Sequence, residues 1–170
     1  MFIILIHSSL CACNNNNNVT ELVDRVCEKT SNYTFCVESL YSDNHTPNAD
    51  PYALAYVAFR LAYRNATGTR DYIAKLLNNA SCSSCHYHKI LVRCEDDYKE
   101  AVSAIEKGYK DLNSQTYLEL DYLAGVASDD AEDCHEQGKT SYYYNSMIEF
   151  MNKDLKGLCQ ICVVISKLLA

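Results

Sequence analysis

Two Cys-x-x-Cys pairs, Cys82 with Cys85 and Cys159 with Cys162, offer the thiolates that hold a structural zinc ion, and His86 and His88 follow the first pair. Two acidic runs offer carboxylates for general acid–base chemistry: Glu95, Asp96, Asp97 and Glu100, then Asp129, Asp130, Glu132, Asp133 and Glu136. Either chemistry needs convergence, four ligands on one ion or two carboxylates facing one cleft. No nucleophile with an orienting acid stands near His86 and His88, which read as solvated loop histidines. The chain also lacks G-x-S-x-G, H-E-x-x-H, a phosphate-binding glycine loop and a dinucleotide fingerprint. Whether the cysteines and acids converge depends on the elements that carry them.

Those elements are helices. The chain of 170 residues is 48% hydrophobic, enough to pack one domain, yet it contains only 5 Gly and 2 Pro. A sandwich or barrel needs many turns with positive or fixed φ, so this composition points to few, long helices. Asp50-Pro51 is a helix start, with Asp50 as the cap and Pro51 at the first helical position. Tyr52, Tyr56, Phe59, Tyr63 and Ala66 then recur at helical spacing, and the pattern extends to Ile73 and Leu76 past a kink expected at Gly68. After a loop over 81–84, a second stripe runs through Leu91, Cys94, Tyr98, Ala101, Ile105, Tyr109 and Leu112. A break at 113–115 and a capping-box pattern, Thr116-x-x-Glu119, open a third: Leu120, Ala124, Ala127, Ala131 and Cys134. A second capping-box pattern, Ser146-x-x-Glu149, opens the fourth: Met147, Met151, Leu155, Leu158, Cys162, Ile165 and Leu169. Long amphipathic helices on short loops predict an all-α, up-down-up-down four-helix bundle over 51–169, preceded by a short helical hairpin over 19–41.

This layout decides both chemistries. Antiparallel neighbours meet at positions equidistant from their turn. Cys94 and Cys134 lie equally far from Ser114, and Cys27 and Cys36 equally far from the Ser31–Asn32 turn, so each pair is expected as a disulfide that staples the fold. Cys82 and Cys85 fall at the end of the bundle where the fourth helix begins, whereas Cys159 lies about 14 residues down that helix, roughly 20 Å away. One ion cannot span that gap, so neither metal nor cofactor is expected. Cys82 and Cys85 read as a local disulfide or an intermolecular one, and Cys162 as a buried thiol. A packed bundle offers no evident cleft for a carboxylate pair, and the acidic runs then read as solvated faces. The second run crowds the negative end of its helix dipole, a locally unfavourable place, and both runs should concentrate a negative field around the 94–134 staple. A feature that works against local stability is a candidate partner surface.

Residues 1–13, MFIILIHSSLCAC, read as a secretory signal segment, and an Asn-rich linker occupies 14–18. Five Asn-x-Ser/Thr sequons, at Asn18, Asn32, Asn44, Asn65 and Asn79, fit a secreted glycoprotein. The apolar tail from Leu158 to Leu169 is too short to span a bilayer and contains Lys167. A net charge of −7, from 22 acidic against 15 basic residues, argues against nucleic acid as a partner and against polybasic attachment to a membrane. The tyrosine run at 142–144 reads as a cover for the bundle's end or as a docking platform.

Four ordered segments carry a resemblance. They are Cys27 … Asn32-Tyr33-Thr34-Phe35-Cys36-Val37-Glu38-Ser39-Leu40; Cys94-x-x-x-Tyr98-x-x-Ala101-x-x-x-Ile105; Ala127 … Ala131-x-x-Cys134; and Leu158-Cys159 … Val164-Ile165-Ser166-x-Leu168-Leu169. From about residue 19 to 169 the chain resembles the plant invertase and pectin methylesterase inhibitor family. The resemblance implies a four-helix bundle with an N-terminal hairpin, disulfides matching Cys27–Cys36 and Cys94–Cys134, and an unpaired cysteine at Cys159. It also implies a secreted or vacuolar protein that inhibits carbohydrate-active enzymes in 1:1 complexes and is not itself an enzyme. Several residues depart from the family pattern. Cys82, Cys85 and Cys162 are extra, and Asp133 stands where pectin methylesterase inhibitors commonly carry Thr. Segment 112–117, Leu-Asn-Ser-Gln-Thr-Tyr, lacks the Pro-Lys-Phe of the well-known invertase inhibitors, and the C-terminal segment looks closer to the pectin methylesterase inhibitors. The expectation is a monomeric pectin methylesterase inhibitor of the apoplast and cell wall. Its contacts are expected at Asp97, Glu100, Tyr117, Glu119, Asp129, Asp130 and Asp133, with acid invertase as the alternative target. A non-inhibitory structural, signalling or metal-binding bundle is the remaining alternative.

Overall fold

Asp50 caps the first long helix through its carboxylate, which accepts the Ala53 N–H at 2.8 Å, and Pro51 needs no partner at the first helical position. From there the computed structural model, which describes residues 19–80, 85–140 and 145–170, is helical throughout its long elements. The hairpin is α1 (Glu21–Cys27) and α2 (Tyr33–Tyr41); a 3-10 turn at Thr46–Asn48 leads into α3 (Pro51–Asn79), α4 (His86–Asn113), α5 (Leu120–Lys139) and α6 (Ser146–Ser166). Helices α3 to α6 form the up-down-up-down bundle: α4 lies between α3 and α5, α6 lies beside α5, and α3 closes the ring against α6. The 1–13 segment, the 14–18 linker, Asn18, Cys82 and the 142–144 tyrosines lie outside the described residues.

Helix α3 continues through Gly68, where a kink was expected, as one element of 29 residues. Its stripe behaves as read: Phe59 and Ala66 are fully buried, while Tyr52, Tyr56 and Tyr63 are half-buried and lean on α4 and on the turn that follows it. Tyr109 of α4 takes ring contacts from Tyr56, Phe59 and Tyr63 with centroids 6.0 to 6.4 Å apart. Phe59 fills the space that a side chain at Gly108 would need, so the α3–α4 seam is close only because residue 108 is glycine. On α5, Ala124, Ala127 and Ala131 are buried and let α4 and α6 approach.

Both capping boxes are overruled. After α4, Gln115 adopts φ 57°, the Gln115 N–H donates to Leu112 O at 3.1 Å, and the Thr116 N–H reaches back to Asp111 O at 2.8 Å. Thr116 is thus spent on closing α4, α5 starts only at Leu120, and Glu119 makes an ion pair with Lys107 instead of a cap. At α6 the cap is Asn145, whose Oδ1 accepts the Met147 N–H at 2.8 Å, while Glu149 pairs with Lys153. The α6 stripe is also shifted at its start. Met147 is 48% exposed, and Ile148 and Asn152 turn inward in its place. Buried Asn152 accepts the Tyr98 hydroxyl at 2.7 Å and directs its amide at Cys134 Sγ at 3.6 Å, so one side chain joins α4, α5 and α6.

The hairpin is pinned internally by Cys27–Cys36, with Cα atoms 5.4 Å apart, and capped by Thr20 and Asn32. It seats on α6, where Phe35 lies over Gly157; a Cβ there would stand 2.5 Å from Phe35 Cε1. Beside it the Ser31 N–H and hydroxyl both donate to Gln160 Oε1, at 3.1 and 2.7 Å. Asp43 then ties the following turn to α3 through Arg60.

Candidate functional site

The Cys94–Cys134 bond, with Cα atoms 4.7 Å apart, locks α4 against antiparallel α5 near one end of both. That register sets the two acidic runs side by side. Asp97 and Asp130 are half-buried between the helices, with Glu100, Asp129 and Asp133 exposed around them. Burial pushes the Asp130 carboxyl up to about 7, and the neighbouring charges of Glu100, Asp97, Asp133 and Asp129 push the same way. Burial likewise lifts Asp97 to about 6, reinforced by Asp133 and opposed by the Gln137 amide, which donates to Asp97 Oδ2 at 3.1 Å. Asp130 Oδ2 is buried and has no hydrogen-bond partner among the described residues. The nearby cations are turned elsewhere: Lys99 to Glu95 and Asp96, Lys156 to Glu132, and Lys139 to Glu136. The result is a set of carboxylates that no lysine neutralises.

Five of the seven expected contact residues, Asp97, Glu100, Asp129, Asp130 and Asp133, therefore share one face. The other two do not join them. Tyr117 is half-buried with its ring 6.4 Å from that of Tyr52, and Glu119 is paired with Lys107 in the α4–α5 turn, roughly 20 Å along the helix from Asp133.

The bundle also carries a cleft that its stripes did not suggest. A groove of about 640 Å³ runs between the hairpin, α5 and α6, with Asn32, Phe35, Asp129, Lys153, Asp154 and Gln160 along its walls. Its polar groups are largely engaged: Lys153 with Glu149 at 2.7 Å, and Gln160 with Ser31. Burial raises the Asp154 carboxyl above its ordinary range. Cys159 reaches the groove wall, but burial pushes its thiol far up, and that of Cys162 as well, so both are neutral thiols and not nucleophiles.

Cys159 and Cys162 are free and buried. Cys85 is disulfide-bonded, and Cys82 lies outside the described residues. His86 Nε2 stands 3.3 Å from Thr140 Oγ1. Among the described residues no group of three or more His, Cys, Asp or Glu is placed to hold a metal ion, and no helix is long and apolar enough to cross a membrane. Of the sequon asparagines, Asn32, Asn44 and Asn79 are exposed, whereas Asn65 is half-buried in α3 with its Oδ1 buried.

Reading stripes alone missed the exposed apolar pair Leu118, 84% accessible, and Tyr122, 68% accessible. The signal was present: both lie off the Ala124–Ala127–Ala131 face, Leu118 in the turn before α5 and Tyr122 in its first turn.

Comparison with known proteins agrees with this architecture. The family model described as plant invertase/pectin methylesterase inhibitor matches residues 21–165. A cell wall/vacuolar inhibitor of fructosidase from Arabidopsis thaliana is 33% identical over 101 residues, which cover 59% of this chain and 56% of that protein, little more than half its length. A pectinesterase inhibitor from Actinidia deliciosa is 27% identical over 148 residues, covering 87% and 79%. The crystal structure of a mutant form of a pectin methylesterase inhibitor from Arabidopsis superposes with a TM-score of 0.79 at 24% identity, over 89% of this chain and 99% of that one.

Proposed function

The chain belongs to the plant invertase/pectin methylesterase inhibitor family, and from that premise we propose that it inhibits a pectin methylesterase, seating its α4–α5 face in the enzyme's polysaccharide groove as a 1:1 plug. The observation that carries this choice of target is the cluster of carboxyl groups formed by Asp97, Glu100, Asp129, Asp130 and Asp133, in which burial and crowding raise Asp97 and Asp130 and which pairs with no lysine among the described residues. A glycosidase cleft is built around paired carboxylates, which repel such a face. A pectin methylesterase turns esters into uronate carboxylates inside its own groove, so that groove accommodates negative charge. The covalent lock between α4 and α5 keeps the face rigid, as a plug requires. In this reading the protein is a secreted, monomeric and non-catalytic partner in the cell wall, and the signal-like start and the sequons support its secretion.

The relative named for fructosidase inhibition supports invertase as the second reading. One titration separates them: purified protein against a plant pectin methylesterase and against a cell-wall invertase. Stoichiometric loss of the esterase activity alone is expected; loss of the invertase activity alone refutes the choice.

A further inference from the structure

Helix α5 carries three of its exposed residues, Tyr122, Asp129 and Asp133, in one line. From Tyr122, steps of four, three and four residues lead through Val126 and Asp129 to Asp133, so these positions share a side of the helix, and Leu118 sits in the turn just ahead. The line is apolar in its first half and acidic in its second. Neither the Leu118 nor the Tyr122 side chain has a hydrogen-bond or ring partner among the described residues, and both project into solvent while the opposite face of α5 is buried. Large apolar side chains exposed four residues apart mark a surface that is covered in a complex.

The chemistry of the line names its cover. A polysaccharide groove holds sugar rings by stacking their apolar C–H faces on aromatic side chains, and holds uronate carboxylates with positive or hydrogen-donating groups. An apolar pair followed by two carboxylates offers both in sequence. The sequons fit this placement: every one lies at or before Asn79, so no N-glycosylation signal falls on α4, α5 or α6.

We propose that Leu118 and Tyr122 are the apolar anchor of the inhibitor, pressed on the aromatic sugar-binding floor of its target with Asp129 and Asp133 aligned behind them. They determine how tightly that enzyme is held. This rests on the pectin methylesterase reading above and adds to it the pair of residues that dominates the affinity.

The test compares inhibition constants and dissociation rates on a pectin methylesterase for the whole protein and for Leu118→Ala, Tyr122→Ala and Val126→Asn. The last completes a sequon with Ser128 and, in a glycosylating host, places a sugar tree on the line; the same variant made in a host that does not glycosylate gives the effect of the side-chain change alone. Each truncation should weaken inhibition about 30-fold, mainly through faster dissociation, as loss of an interface hot spot does. The new glycan should abolish inhibition, and Phe150→Ala, an exposed ring on α6, should leave it unchanged. Melting temperatures should stay close to the wild type, because both truncated side chains are mostly exposed. Wild-type inhibition with both alanine variants within twofold of it overturns the anchor and leaves the target reading intact. A wild-type protein without effect on the esterase overturns both.

Discussion

Replacing Asp130 with Asn removes a charge that the native bundle tolerates poorly, and the size and sign of the effect follow from its surroundings. In the unfolded chain this carboxyl releases its proton near 3.8; in the bundle it holds it up to about 7. Between those two values the native state binds more protons than the unfolded state, so the contribution of Asp130 is at its best below pH 4, declines as pH rises, and is lost above about 7. A shift of about three units at 1.36 kcal/mol each sets an upper bound of about 4 kcal/mol, and screening by the solvent that reaches this half-buried group reduces it to about 2. Asparagine does not titrate, and its amide can donate to Asp97, Glu100 or Asp133. The Asp130→Asn protein should therefore be about 2 kcal/mol more stable than wild type at pH 8, or roughly 6 °C in Tm, and indistinguishable from it at pH 4. Urea denaturation of both proteins at the two pH values measures the difference directly. A stability gain of the same size at pH 4 and pH 8 refutes the reasoning, because it would come from packing and not from charge.

Other expectations concern the hairpin, the staple and the approach of the target. Gly157→Ala puts a Cβ into the Phe35 ring and should cost about 1–3 kcal/mol, with faster amide exchange in α2 while α3 to α6 stay protected. Replacing Cys94 and Cys134 together by Ala reopens a long loop and should cost about 4 kcal/mol, read as a lower urea midpoint; a midpoint that survives would show that the α4–α5 seam holds without its bond. Association with the proposed esterase target should slow as salt rises, and Asp129→Asn with Asp130→Asn should reproduce the high-salt rate in low salt; a salt-independent rate removes the acidic face from steering.

The bundle is legible in the chain because its apolar spacing holds over many turns and because two cysteine pairs report its register. Asp50-Pro51, the break at 113–115 and the alanine face of α5 all stand where the pattern puts them. Local signals fail where a neighbouring element claims the same residue. Thr116-x-x-Glu119 has the letters of a capping box, but the Thr116 N–H closes α4 and Lys107 takes Glu119. Met147 and Met151 fit a helical period as well as Ile148 and Asn152 do; what selects the second set is the hydroxyl of Tyr98, which needs an acceptor in the core and finds it in Asn152. The groove beside Phe35 escapes any reading of stripes, since it arises from how the hairpin seats across Gly157 and not from one helix's periodicity. Tyr117 and Glu119 precede the acids of α5 in the chain, and the rise of the helix separates them from the acidic face.

The position of the Cys94–Cys134 bond explains how the acidic face can exist. Asp129, Asp130 and Asp133 crowd the C-terminal half of α5, where the helix dipole is already negative, and α4 brings Asp97 and Glu100 against them. Left to noncovalent forces, this repulsion would work to part the two helices at the place where the charges meet. The disulfide lies within a turn of Asp97, Asp130 and Asp133, so the separation that would relieve the repulsion is covalently blocked. The charges are held in place at the expense of local stability, and a face that cannot relax loses little freedom when a partner covers it. Selection for stability alone would not keep Asp130 half-buried and without a hydrogen-bond partner for Oδ2. The proposed role, presenting a rigid acidic surface to another protein, gives a reason to keep it.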